Sequence, residues 1–171
     1  MPIYKNKKYS GFSLVETLIY IGLMTVILFS LISLIDSASR TYLFLKSSRN
    51  IERSAINIMD NLNDQAGISY KIDLPNTIFD SATGSIAMVT YGRANISTTT
   101  KIYLSNGQVL LSQNNTVLGP LNLSDVRVTK LIFRNMSTST FNGFKVEMTI
   151  DNGTSSEKYI SEDFYNSYIL R

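Results

Sequence analysis

One carboxylate set into a membrane-length apolar run is the group in this chain best placed to do chemistry. It is Glu16, in the stretch Ser10-Gly11-Phe12-Ser13-Leu14-Val15-Glu16, and no other charge follows from Thr17 to Ile35 before Asp36 ends the run. A carboxylate at mid-bilayer costs roughly 3 kcal/mol on insertion scales, so one that is kept there marks function. Glu16 falls within two turns of the predicted helix start, where a nearby positive charge can neutralise it, and the chemistry it offers is an ion pair. The chain has no His and no Cys, which removes the common metal sites and the Cys-His and Ser-His nucleophile pairs. No spacing of carboxylates or of Ser and Lys suggests catalysis. The chain therefore reads as no enzyme, with no metal and no cofactor.

The element that must carry Glu16 is a long helix. Fifteen Leu, Ile, Val and Phe residues lie between Phe12 and Ile35. At about −0.3 to −0.6 kcal/mol each they contribute roughly −4 to −9 kcal/mol, which outweighs one carboxylate near an interface. Lys5, Lys7 and Lys8 precede the run and by the positive-inside rule stay in the cytoplasm, although Arg40, Lys46 and Arg49 follow it. An ordinary secretory signal would have an apolar core of about 7–15 residues ending at a small-x-small site. Here the run is far longer, and Ser37-Ala38-Ser39 lies after it. A plain signal anchor fits the length of roughly 20 residues, but leaves Gly11-Phe12 and Glu16 unexplained.

The Lys-rich leader, the Gly11-Phe12 step and Glu16 five residues into the new N-terminus resemble the class III signal of type IV pilins. The resemblance implies cleavage by a prepilin peptidase between Gly11 and Phe12, N-methylation of Phe12 by the same enzyme, and pairing of Glu16 with the N-terminal ammonium of a neighbouring subunit. It also implies its partners: other minor and major pilins or pseudopilins, and an assembly platform protein in the membrane. The location implied is the bacterial cytoplasmic membrane, crossed once with the N-terminus inside, and then a filament on the surface or in the envelope. Many major pilins carry a proline about twenty residues into the mature helix. The equivalent Ser30-Leu31-Ile32-Ser33-Leu34 has none, which points to a minor pilin or pseudopilin.

The net charge of the 171-residue chain is +3, but residues 1–11 hold three lysines, so the remainder is formally +3 − 3 = 0. A general basic-patch argument for nucleic acid loses its main support. Abundant Ser, Thr, Asn and Tyr suit a solvated extracytoplasmic β surface, and without Cys its stability must come from the core alone.

Beyond Ile35 the pattern turns amphipathic. Ile51, Ala55, Ile58 and Leu62 form one stripe, with Arg49, Glu52, Arg53, Asp60 and Asp64 mostly off it. The spacing predicts one helix over 12–65, about 80 Å at about 1.5 Å per residue, with Gly67 as its stop. From Ile68 the signals are β: strands at 68–74, 85–91, 100–104, 108–113, 126–135, 144–150 and 157–160, and an aromatic segment 164–170 at an edge. Asn106-Gly107 and Asn152-Gly153 are hairpin signals. Four segments follow: a leader 1–11, an apolar spine 12–35, an amphipathic half 36–66, and a mainly antiparallel β domain 67–171. The α+β order, Leu131-Ile132-Phe133 and the closing Ser167–Arg171 resemble J-type minor pseudopilins, which implies the type IV pilin fold and a role in starting or capping a filament for secretion, piliation or DNA uptake.

Five sequons, at Asn95, Asn114, Asn122, Asn135 and Asn152, are read as products of composition. Asp151, Asn152, Ser155 and Glu157 gather oxygens without EF-hand spacing, and are read as a turn. Arg127, Lys130, Arg134 and Lys145 could form a DNA-binding strip, but Arg127 has the wrong strand parity, so they are read as solvated charges. Tyr159, Phe164, Tyr165 and Tyr168 are read as core and edge packing. A filament-tip module binding DNA or a surface through 91–99 and 135–143 is the alternative function.

Overall fold

The computed structural model describes residues 13–91, 97–153 and 159–170. Chain contacts divide the protein into two compact units, one ending at Leu43 and the other beginning at Phe44. Helix α1 runs Leu14–Ile68 and contributes to both. It ends beyond the expected stop: Gly67 is helical and is not among the positive-φ residues, so it is not a left-handed cap.

The second unit is α+β. Strands β1 (Ser69–Ile72), β2 (Ser85–Tyr91), β3 (Ser97–Ser105), β4 (Gln108–Gln113) and β5 (Thr116–Pro120) make a five-stranded sheet in that order. A second sheet has β6 (Arg127–Asn135), β7 (Gly143–Asp151) and β8 (Ser161–Ile169), with β8 at its edge. All the strand pairs are antiparallel. A short parallel bridge, Thr83 to Leu131, joins the segment before β2 to β6.

The turns follow from residue type. Asn106 and Gly107 have φ of 51° and 76°, and Ser105 faces Gln108, so this is a two-residue hairpin of the kind that needs two left-handed positions. Asn114 and Asn115, at 48° and 67°, repeat the device between Gln113 and Thr116. That second turn creates β5, which sequence reasoning misses because Asn114-Asn115-Thr116 reads first as a sequon. The other Asn-Gly signal works differently: Asp151 pairs with Ser161, so no two-residue turn joins β7 to β8. The strand expected at 157–160 is not formed at 159–160, and 157–158 lie outside the described residues.

Ile51, Ala55, Ile58, Leu62 and Ala66 of α1 are buried against Ile86, Met88, Ile102, Leu131, Phe133, Phe144, Val146 and Met148 from both sheets. Phe144 stands between Phe133 and Tyr168, with ring centroids 5.9 and 5.2 Å away. Hydrogen bonds tie this half of α1 down: Asn57 Nδ2 donates to Leu121 O, Leu123 N–H to Ser54 Oγ, and Tyr168 Oη–H to Met59 O.

Candidate functional site

Glu16 lies in the first turn of α1, where the exposed N–H groups favour negative charge. The Tyr20 hydroxyl, one turn on, donates to Glu16 Oε1 at 3.4 Å. Around them every described residue from Ser13 to Lys46 is exposed, including Leu18, Ile21, Leu28, Ile32 and Ile35. This stretch is long and apolar enough to cross a membrane. Its far end carries an ion pair, Arg40 Nε to Asp36 Oδ2 at 2.8 Å, the first charge beyond the apolar run. Lys5, Lys7, Lys8, Gly11 and Phe12, the other residues of the expected processing site, lie outside the described residues.

The secondary candidates resolve into particular contacts. A bulge between Val128 and Lys130 shifts the β6–β7 register, so Val128 and Leu131 both face the core. It thereby brings Arg127 onto the outer face with Lys130 and Arg134, against the parity expected for a regular strand. The strip is nonetheless largely neutralised within the fold. Arg134 binds Glu147 through Nε and Nη2, at 2.8 and 3.1 Å, and reaches Asp80 at 3.2 Å, while Lys145 Nζ adds a bond to Glu147 at 3.1 Å. Hydrogen bonds from Arg134, then from Lys145, hold the Glu147 carboxyl down at about 2.

Asp151 is buried and accepts from Arg127 Nε and Nη2 at 3.2 and 2.9 Å, from Gly153 N–H at 2.8 Å, and from Tyr159 Oη–H. Burial works to raise its carboxyl. The Arg127 and Gly153 hydrogen bonds outweigh that and leave it below the usual carboxylate range. Its oxygens are thus occupied as a structural anchor. Ser155 and Glu157, the other half of the oxygen cluster, lie outside the described residues. Among the described residues no group of three or more His, Cys, Asp or Glu is arranged to hold a metal.

Asn122, read as a chance sequon, is a buried connector. Its Oδ1 accepts from Val109 N–H at 2.8 Å and its Nδ2 donates to Val126 O at 2.7 Å and to Leu123 O at 3.2 Å. The aromatic cluster divides: Tyr168 is buried and Phe164 packs on the core, whereas Tyr159 and Tyr165 are exposed. Sequence reasoning also missed Tyr70 and Tyr91, whose rings stack at 4.2 Å and 6°. The two are twenty-one residues apart, and only strand pairing brings them together. Comparison with protein-family models, curated proteins and solved structures finds no match.

Proposed function

We propose that this chain is a minor pilin or pseudopilin, a membrane-inserted subunit that helps initiate or cap a type IV pilus-like filament. The observation that carries the reading is Glu16 in the first turn of a helix whose apolar residues from Leu14 to Ile35 are exposed on every side. Such a surface requires lipid or neighbouring helices around it, and both can be used in turn. The basic leader and the Gly11-Phe12 step supply the processing signal. Cleavage there frees an ammonium at Phe12, and in a low-dielectric core that ammonium offsets the cost of burying the Glu16 carboxylate of a neighbour. The paired charges of β6 and β7 favour this role over DNA binding by that strip.

Intact-mass spectrometry of the chain made with and without a prepilin peptidase tests the reading. The expected product depends on the peptidase, starts at Phe12 and carries one added methyl group. An uncut precursor in both samples, with the peptidase active on a control, overturns it and leaves a membrane-anchored β domain. Glu16→Ala then isolates the pairing: it inserts and is processed normally but does not enter filaments. Normal incorporation of that variant refutes the ion pair.

A further inference from the structure

The five-stranded sheet turns one face to α1; on the other, Ala87, Val89 and Ser112 are buried, Thr99 and Lys101 are half-buried, and Tyr91 and Ser97 are exposed. On β2, Ile86 and Met88 face the core, so Ala87, Val89 and Tyr91 face outward. Their partners on β3 are Lys101, Thr99 and Ser97, and Lys101 pairs in turn with Ser112 of β4. At one end of this face the bulge in β1 sets Tyr70 against Tyr91, which is 64% exposed, with Lys71 Nζ 5.5 Å from the Tyr70 centroid. Four residues along β2, about 13 Å away at about 3.3 Å per residue, lies a groove of about 320 Å³. Small residues line it: Ala87 and Ser112, both buried, and Thr99, half-buried. Asn76, on the short 3₁₀ turn Leu74–Asn76, lines the groove, and that segment is held over β2 where Ala87 N–H donates to Thr77 Oγ1 at 3.0 Å. Asn114 and Asn115 of the β4–β5 turn line it as well, and Lys101 supplies its cation.

We propose that this outer face binds an oligosaccharide. A pyranose ring presents a flat C–H face and a rim of hydroxyls that each donate and accept. The tyrosine stack, with Tyr91 exposed and Tyr70 half-buried, matches the first, since a phenol offers a broad apolar ring with a polar tip. Carboxamides and hydroxyls, which also donate and accept, match the second. The separation of stack and groove suits two or three linked sugar units. Lys71 and Lys101 supply the positive charge of these two features, which suits a neutral or weakly acidic glycan and is too sparse to hold a polyanion through its phosphates. The inference does not depend on the filament reading, because it concerns a different face and a different chemistry.

The full chain in detergent micelles, applied to an array of defined neutral and uronic-acid oligosaccharides and then titrated with the best of them, provides the test. Saturable binding is expected, weakened severalfold or more by Tyr91→Ala, which removes the exposed ring of the stack. Tyr91→Phe should retain it, Lys101→Ala should weaken it severalfold, and the wild-type thermal transition should persist in all three. For a neutral glycan, raising salt from roughly 50 to 200 mM should change the affinity little, against losses of orders of magnitude for a protein with many phosphate contacts. No glycan bound above a micelle control, or equal affinity for Tyr91→Ala, overturns the proposal. So does steeply salt-dependent binding of a single-stranded oligonucleotide that Lys71→Ala abolishes, which would assign the face to nucleic acid.

Discussion

Asn122 permits a sharp test of how the β domain is held together. It is 5% exposed, and one side chain satisfies an N–H of β4 and the carbonyls of Leu123 and Val126 just before β6. Asn122→Ala leaves Val109 N–H and Val126 O without their partners at 2.8 and 2.7 Å. A buried polar group stripped of its partner costs about 1–3 kcal/mol. Two such groups give an expected loss of about 2–6 kcal/mol, a large fraction of an ordinary domain's stability. Asn122→Asp keeps the acceptor but points a carboxylate at two carbonyl oxygens. It should cost more than alanine at neutral pH and recover in part on acidification, as the new carboxyl protonates and can donate. Urea unfolding of the full chain in micelles, followed through tyrosine near-ultraviolet circular dichroism, measures both. Hydrogen exchange at the Val109 amide locates the damage, and its protection should fall more than that of amides in β7. An Asn122→Ala loss below about 1 kcal/mol with an unchanged denaturant slope would show that Asn122 does not connect the strands as described.

Other expectations follow from the same geometry. Glu147 sits at about 2 in the folded protein against about 4.3 unfolded. Its contribution to stability is therefore complete above about 4.3 and disappears as pH falls through about 2; Glu147→Gln should flatten the stability profile in that window, and an unchanged profile would refute the assignment. Gly107→Ala forces a Cβ onto a φ of +76° and to 2.6 Å from Arg127 Cγ. About 1–2 kcal/mol of left-handed strain should be joined by loosening of the Arg127–Asp151 pair, read from the urea midpoint, with a change under about 0.5 kcal/mol counting against it. Gly67→Ala should act in the opposite sense, because Gly67 is helical and an added Cβ would meet nothing within 4 Å. A gain of up to about 1 kcal/mol is expected, and destabilisation would restore Gly67 as a cap.

The legible parts of this chain are those whose signal is local. The Ile51–Leu62 stripe states its buried face outright, and each named position is buried. Asn106-Gly107 announces its hairpin because both positions need positive φ, and β2 and β4 match the expected bounds. What escaped depends on partners distant in sequence. Nothing near Arg127 indicates that a bulge at Val128–Lys130 will bring it beside Lys130 and Arg134. Asn122 looks like any polar loop residue until β4 and the start of β6 close around it. The Tyr70–Tyr91 stack exists only because β1 and β2 pair with a bulge at Tyr70. Asn114-Asn115 was legible in principle, since asparagine tolerates left-handed backbone better than most residues and apolar runs flank it.

The two halves of α1 solve different problems, and the difference bears on what Glu16 does. From Ile51 onward the helix has a definite partner, and side chains such as Ile58 and Leu62 fix its rotation against the sheets. From Leu14 to Ile35 apolar side chains are exposed around the whole circumference, so burial is favourable in any rotation and at many axial offsets. Apolar attraction of that kind supplies cohesion without register. A charge supplies register, because a displacement of one helical turn, about 5.4 Å, separates an ion pair and strands a carboxylate where desolvation is costly. Glu16 is the one charge in that stretch. Among helices packed side by side, a single unpaired carboxylate would penalise every offset but the one that brings it a cation, which is how an otherwise featureless apolar surface can specify one assembly.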